Sequence, residues 1–387
     1  MPRTSGGAPP STDPDPAFSV RPGVADDWDQ TVGPVPATLR RRWITLAEAR
    51  IPGGAHTFAL TDVALTDVAR SDVARTGQEP DRPGGQLSVA VVGGVMEAAS
   101  GHVRFDPYQV LSGRSVHEGV VAQGPHPWKD LAPEDVFPCG LLMFPNYETT
   151  PVGPGRDDPK AVRRFVGGLV DWAREQGLAS IAALFLRQDC PEFHQALRET
   201  GFDLVPMVDR CDLAVTWSDF DGYLAGLPRK RRFAVRRELR EIAERDVVLS
   251  ERTLNHDEPE LLRLRAQLVT KYGGTPDLER EAGSLRHLRE HFGDRNLVVV
   301  EARLGTDLLS FSIFIRDGAH WTVLMSGTDH ERPDASFTYF ATMFYRPAQL
   351  APAEGITSIA YGLGTVQAKK LRGCDLNPLS AAALLLR

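Results

Sequence analysis

The segment SIAYGLGTVQAKKLRG (358–373) concentrates side chains able to do chemistry. Lys369 and Arg372 are cations of the kind that stabilise a developing oxyanion when aimed at it, with Lys370 as an adjacent candidate. Gly362 and Gly364 permit close approach of a substrate to the backbone, and Gly373 directly follows Arg372. The same cations, at the end of a short helix, equally well complement its dipole. A general base is harder to pick. Asp329, His330 and Glu331 lie just beyond an expected strand end and Tyr361 at another, while transfer by proximity alone needs no base.

Two further groups of residues have anion-binding character. Arg229, Arg232, Arg236 and Arg240 share one face of an expected helix, within a run that also holds Lys230, Arg231 and Arg237. That face fits a phosphate-bearing substrate, or else is a solvated surface paired with Glu238, Glu241 and Glu244. No aromatic interleaving or base-reading module accompanies it, which argues against DNA as a partner. The loop Thr150–Gly155 (TPVGPG) lies between an expected strand and a helix N-terminus. There, free N–H groups and the helix dipole favour phosphate, although a rigid Pro/Gly connector explains the same residues. A nucleophile elbow, a Walker loop and HExxH are all missing, and the four cysteines show no metal-ligand spacing.

The elements that must position these residues follow from composition and periodicity. With 387 residues, 42% hydrophobic and 25% charged, the chain can bury two cores, and its formal charge of −7 disfavours polyanions except at a local patch. No stretch is long and apolar enough to span a membrane, and no apolar leader is present, so a cytoplasmic monomer or dimer is expected. Residues 1–40 are rich in Pro, Gly and Asp and are expected to be a disordered tail. The five-residue repeat in TDVALTDVARSDVART (61–76) suits neither helix nor strand. Residues 139–144 read as a strand, Asp158 and Pro159 open a helix that stops at Gly177, and strand, helix and strand follow to about 208. From Trp217 come a basic helix, a polar helical region to about 292 and three strands (296–304, 308–318, 320–327). A helix over 336–355, the strand SIAYGLG and a last short helix complete the chain. The second half repeats the first in outline, giving domains of 41–214 and 215–387.

WAREQGLASIAALFLRQDCPEFHQALRETGF resembles the helix, strand and short helix closing on Gly-Phe of the GNAT superfamily. TTPVGPGRDD, FDGYLAGLPRKRRFAVRREL and AKKLRGCDLNPL, in that order, resemble the Fem-like branch, and the similarity runs from about residue 41 to 387. The resemblance implies an α/β (α+β) fold of two GNAT-like domains in tandem, each a central mixed sheet flanked by helices. It implies an acyltransferase that forms an amide bond between an activated acyl donor and an amine, a cell-wall precursor or a natural-product intermediate. The donor is a co-substrate, acyl-CoA or aminoacyl-tRNA, and no tightly bound cofactor or metal is implied. Gly153 and Gly155 match the superfamily's CoA-pyrophosphate loop, but Thr150 stands where that loop has Gln or Arg, which tips the expected donor slightly toward aminoacyl-tRNA. Lys369, three residues before Arg372-Gly373, occupies the position from which the Fem-like lysine enters the active site. Tyr361 and Asp329 are further catalytic candidates, while Arg229, Arg232, Arg236, Arg372, Gly362, Gly364 and Gly373 would contact substrate. An acetyl-CoA-dependent N-acetyltransferase and a non-catalytic binding protein of the same fold are the alternatives.

Overall fold

Short apolar runs separated by turn residues become strands of one continuous sheet. The computed structural model describes residues 17–63, 85–99, 106–114, 124–271 and 274–386. Within these lie β1 (Ala17–Pro22), β2 (His56–Val63), β3 (Gly85–Met96), β4 (Cys139–Leu142), β5 (Ser180–Arg187) and β6 (Asp203–Ala214). The second half supplies β7 (Val247–Thr253), β8 (Leu297–Leu304), β9 (Asp307–Asp317), β10 (His320–Thr328), β11 (Ser358–Gly362) and β12 (Asp375–Leu385). Helices cover both faces: α1 (Arg41–Ala47), α2 (Pro159–Glu175), α3 (Pro191–Glu199), α4 (Phe220–Gly226), α5 (Arg229–Ala243), α6 (Pro259–Lys271) and α7 (Leu278–Phe292). They are followed by α8 (residues 338–350, with a π-helical stretch Ala341–Tyr345) and α9 (Val366–Lys370).

The strand order, β1-β2-β3-β4-β5-β12-β6-β11-β10-β9-β8-β7, is a palindrome of the two halves. From either edge inward come three antiparallel pairings, then a parallel one (β4–β5, β10–β11), then an antiparallel one. The last strand of each half lies in the sheet of the other: β12 pairs with β5, and β6 with β11. β6 and β12 then pair antiparallel at the centre, Cys211 opposite Leu376. A cut between 214 and 215 therefore divides the chain without dividing the sheet.

Local chemistry explains the best-patterned segment. The Asp158 carboxylate accepts from the Lys160 N–H at 2.9 Å, Pro159 fills the first turn of α2, and Gly177 (φ +70) ends the helical stretch. Val162, Phe165, Val166, Leu169, Val170 and Ala173 are all buried against the N-terminal sheet. The long basic helix is instead two, broken at Pro228, and the polar region to 292 contains an edge strand, β7, between α5 and α6. β7 has an exposed face and a charged sequence (VVLSERT), so its apolar signal is weak.

The expected disordered tail is corrected for residues 17–40. β1 pairs with β2 throughout its length, and Trp28 is 2% exposed with its indole N–H donating to the Leu39 carbonyl at 3.0 Å. The Ala37 N–H donates to Asp317 at 2.6 Å, fastening this segment to the second half. Its apolar anchors are few and widely spaced, so average composition hid them. Residues 1–16, and 64–76 of the repeat, lie outside the described residues; Thr61–Val63 end β2. Trp28→Ala is expected to cost about 3–5 kcal/mol and lower the melting temperature, whereas a residue in an unstructured tail would leave it unchanged.

Candidate functional site

Each half brings two parallel strands together and then has to part them. In the first half β4 and β5 pair from Cys139–Ser180 to Leu142–Ala183. Beyond that, Thr149 fills the gap: its N–H donates to the Phe185 carbonyl at 2.8 Å, and the Arg187 N–H donates to the Thr149 carbonyl at 3.0 Å. In the second half β10 and β11 pair over only three positions, His320–Ser358, Trp321–Ile359 and Thr322–Ala360. No such plug follows among the described residues. Thr322–Ser326 are half-buried although they lie in mid-sheet, while the equivalent stretch of β9 is fully buried. A bulge between Val323 and Met325 turns the strand further from its neighbour. The backbone of β10 thus lines an open cleft with N–H and C=O groups that β11 does not take.

The loops after these strands differ in the same sense. The Val152 N–H donates to Ala90 and the Gly155 N–H to Ser88, at 2.9 and 2.8 Å, so Thr150–Gly155 is fastened to β3. A side chain at Gly153 would meet the Ser88 carbonyl oxygen at 2.5 Å, which accounts for that glycine by close packing. The N–H groups of Val152 and Gly155 are thus spent on β3, which counts against the expected role of Thr150, Gly153 and Gly155 as a phosphate cradle. The adjoining cavity of about 260 Å³ is lined by Arg156 and Arg187, each already paired with an aspartate (Asp157, Asp189). In the second half the corresponding turn ends at Phe337 in the left-handed region (φ +67), and α8 starts without a capping side chain. The N-terminus of α8 therefore begins directly from a left-handed residue, without the side-chain oxygen that usually closes a helix start.

The C-terminal cations have structural partners. The Lys369 ammonium, 5% exposed, donates to the carbonyls of Tyr361, Gly362 and Leu363 at 2.7, 3.1 and 2.8 Å. An ammonium has three N–H donors, so the expected oxyanion contact is corrected: Lys369 fixes the turn that leaves β11. Burial lowers its pKa from the usual lysine value. Gly362 (φ +64) and Gly364 (φ +76) make that turn possible, and at Gly373 an added side chain would press on Leu227. Arg372 is 3% exposed, its guanidinium 3.4 Å from the Phe340 ring centre and its NH1 bonded to the Ala368 carbonyl at 2.8 Å. It too is unavailable to substrate.

Beneath α8 is a buried group that the basic run concealed. Glu238, 4% exposed, accepts from Arg231 at 2.8 Å and from the Tyr345 hydroxyl, with the Arg372 guanidinium 3.9 Å away. The signal was the inward stripe Arg231, Val235, Glu238, Ile242 at helical spacing, of which only the two apolar members look like core. Arg229, Arg236 and Arg240 lie on the opposite, solvent side of α5, with Arg232 half-buried at its flank; none lines the cleft.

Asp329 directly follows β10 and is 5% exposed. Burial pushes its carboxyl up, but the 2.7 Å bond from Arg263 and the N–H of Glu331 reverse this and hold it below the ordinary carboxylate value. A carboxylate so stabilised is a poor proton acceptor, and its position is that of an anchor between α6 and β10. The Tyr361 hydroxyl is buried with no hydrogen-bond partner, and burial raises its pKa well above the usual phenol. Two outcomes check these readings. Asp329→Asn is expected to lower stability at neutral pH. Because the folded pKa is depressed, the gap to the native protein should close as pH falls from about 4 through the folded value, measured by melting across pH. Tyr361→Phe is expected to leave melting unchanged or raise it slightly. A loss of transfer activity without a loss of stability would instead place the hydroxyl on substrate.

Residues 229–370 match the family described as acetyltransferase (GNAT) domain, and these residues contain the open cleft. Among curated proteins none matches the chain. The fold is similar to that of FemX, with a TM-score of 0.50 over 88% of this chain and 90% of that one at 10% identity. A tandem GNAT protein from the clavulanic acid biosynthesis pathway aligns over 96% and 99% of the two chains (12% identity, TM-score 0.44). A GCN5-related N-acetyltransferase from Sphaerobacter thermophilus aligns over 96% of each chain (10% identity, TM-score 0.40). The family match thus lies within the second half of the chain, and the fold over most of the chain's length is similar to that of FemX.

Proposed function

We propose that the protein is an acyltransferase whose reaction occurs in the cleft between β10 and β11, joining an acyl group to an amine. The observation that carries this reading is the asymmetry of the halves: the first-half gap is filled by Thr149, and its counterpart is open. An extended donor arm laid along Val323–Ser326 would pair with the free edge of β10. The neutral amine attacks the acyl carbon to give a tetrahedral oxyanion. Backbone N–H groups of that edge are the donors that stabilise it, in place of Lys369. Attack forms the C–N bond; collapse of the oxyanion re-forms the carbonyl and breaks the C–S or C–O bond, and the ammonium proton passes to the departing thiolate or alkoxide directly or through water.

Acyl-CoA is the donor we favour, because α8 starts at Phe337 with no capping side chain, and an uncapped helix start suits a pyrophosphate. The second reading, an aminoacyl-tRNA, rests on the exposed Glu331 of the same loop, which opposes a pyrophosphate but not a donor that presents only an ester end. Both donors imply a cytoplasmic reaction. The acceptor class is a small amine, in a cell-wall precursor or natural-product intermediate.

Labelled acyl-CoA and charged tRNA, each offered with a panel of amines, test this. Transfer from acyl-CoA alone is expected; transfer from tRNA alone selects the second reading, and transfer from neither favours a binding protein of this fold. Ala360→Phe, which puts a ring where β10 and β11 part, should reduce transfer at least ~10-fold with little change in melting temperature.

A further inference from the structure

Outside the cleft, the solvent face of α5 gathers cations around an exposed aromatic ring. Val235 and Ile242 hold the helix on the sheet, and on a helical period Phe233 lies diametrically opposite them. Phe233 is 59% exposed. Around it on the same face stand Arg229, Lys230, Arg236, Arg237 and Arg240, all exposed, with the Arg229 guanidinium 5.7 Å from the Phe233 ring centre. Arg236 pairs with Asp221 and Arg237 with Glu241, but those carboxylates are themselves solvated and such pairs exchange easily. Arg229, Lys230 and Arg240 have no carboxylate partner among the described residues. In a chain of formal charge −7 this is a cationic face with an apolar centre.

We propose that this face docks the protein on an anionic phospholipid surface. Cations at the rim meet lipid phosphates, and a single ring at the centre enters the boundary between headgroups and acyl chains, the division of labour of interfacial helices. A polynucleotide would require a groove with successive stacking rings, whereas this face is convex and offers one ring. Docking by the face of α5 that points away from the sheet leaves the β10–β11 cleft free. The inference does not depend on the reaction assigned to that cleft.

Co-sedimentation of the whole chain with vesicles tests it. Vesicles of phosphatidylcholine containing about a third phosphatidylglycerol should retain the protein at low salt, and pure phosphatidylcholine should not. Combined Arg229→Glu, Lys230→Glu and Arg240→Glu should weaken retention at least ~10-fold, as should raising the salt. Phe233→Trp should show a blue-shifted emission difference on anionic vesicles only. All four positions are exposed, and unchanged melting together with unchanged transfer on soluble substrates confirms that the variants fold. Equal retention by neutral vesicles, no retention by either, or no effect of the charge reversals overturns the proposal. So does tRNA binding that the same reversals abolish while vesicles are ignored.

Discussion

Everything in this molecule depends on the hydrogen bonding of β12 between β5 and β6, and of β6 between β12 and β11. Each half builds five strands of a sheet and lacks the sixth, which the other half provides. The exchange makes the interface between the halves out of backbone ladders, whose groups would be costly to leave unpaired, rather than out of side-chain packing alone. It also fixes the cleft. β11 is held on one side by β6, which belongs to the first half, so it cannot close upon β10 where the two strands diverge.

Duplication of an architecture did not preserve duplicated chemistry. The same topological position is a filled seam in one half and an opening in the other, and the difference comes down to a few backbone contacts. Thr149 enters the ladder beside β5, and Val152 and Gly155 bind the following loop to β3. In the second half the corresponding turn runs out to Phe337, and α8 begins uncapped and includes a π-helical stretch. Such a stretch is an irregularity that recurs where helices border functional sites. Below it, Glu238 with Arg231 and Tyr345 forms a buried charged cluster that holds α5, α8 and the start of β12 in fixed relation.

How much of this was legible in the sequence differed by element. The helix from Pro159 was plain because its cap, period and stop all agreed, and β8, β9 and β10 because Asp317-Gly318 and Val-rich runs marked them. β12 was not, since DLNPLSAAALL carries weak strand residues and its place is set by partners more than 160 residues away in sequence. The site was less legible still. Residue type correctly drew attention to Lys369 and Arg372, but type does not say whether donors face a substrate or three carbonyls, and here burial decided. Conversely, Val323–Ser326, which line the opening, are ordinary strand residues that only the parting of two strands makes special.

The exchange of last strands bears on how such a chain is made. A nascent chain leaves the ribosome N-terminus first, and the first half can assemble β1 to β5 long before residues 375–385 emerge. Throughout that interval β5 has an open edge in the middle of the future sheet, and β6 has no neighbour until β11 is made. Final closure of the sheet falls to β12, which follows all its other strands in sequence. Truncated translation products are therefore not smaller versions of this protein but open-edged species, prone to pair with one another or to be removed by quality control.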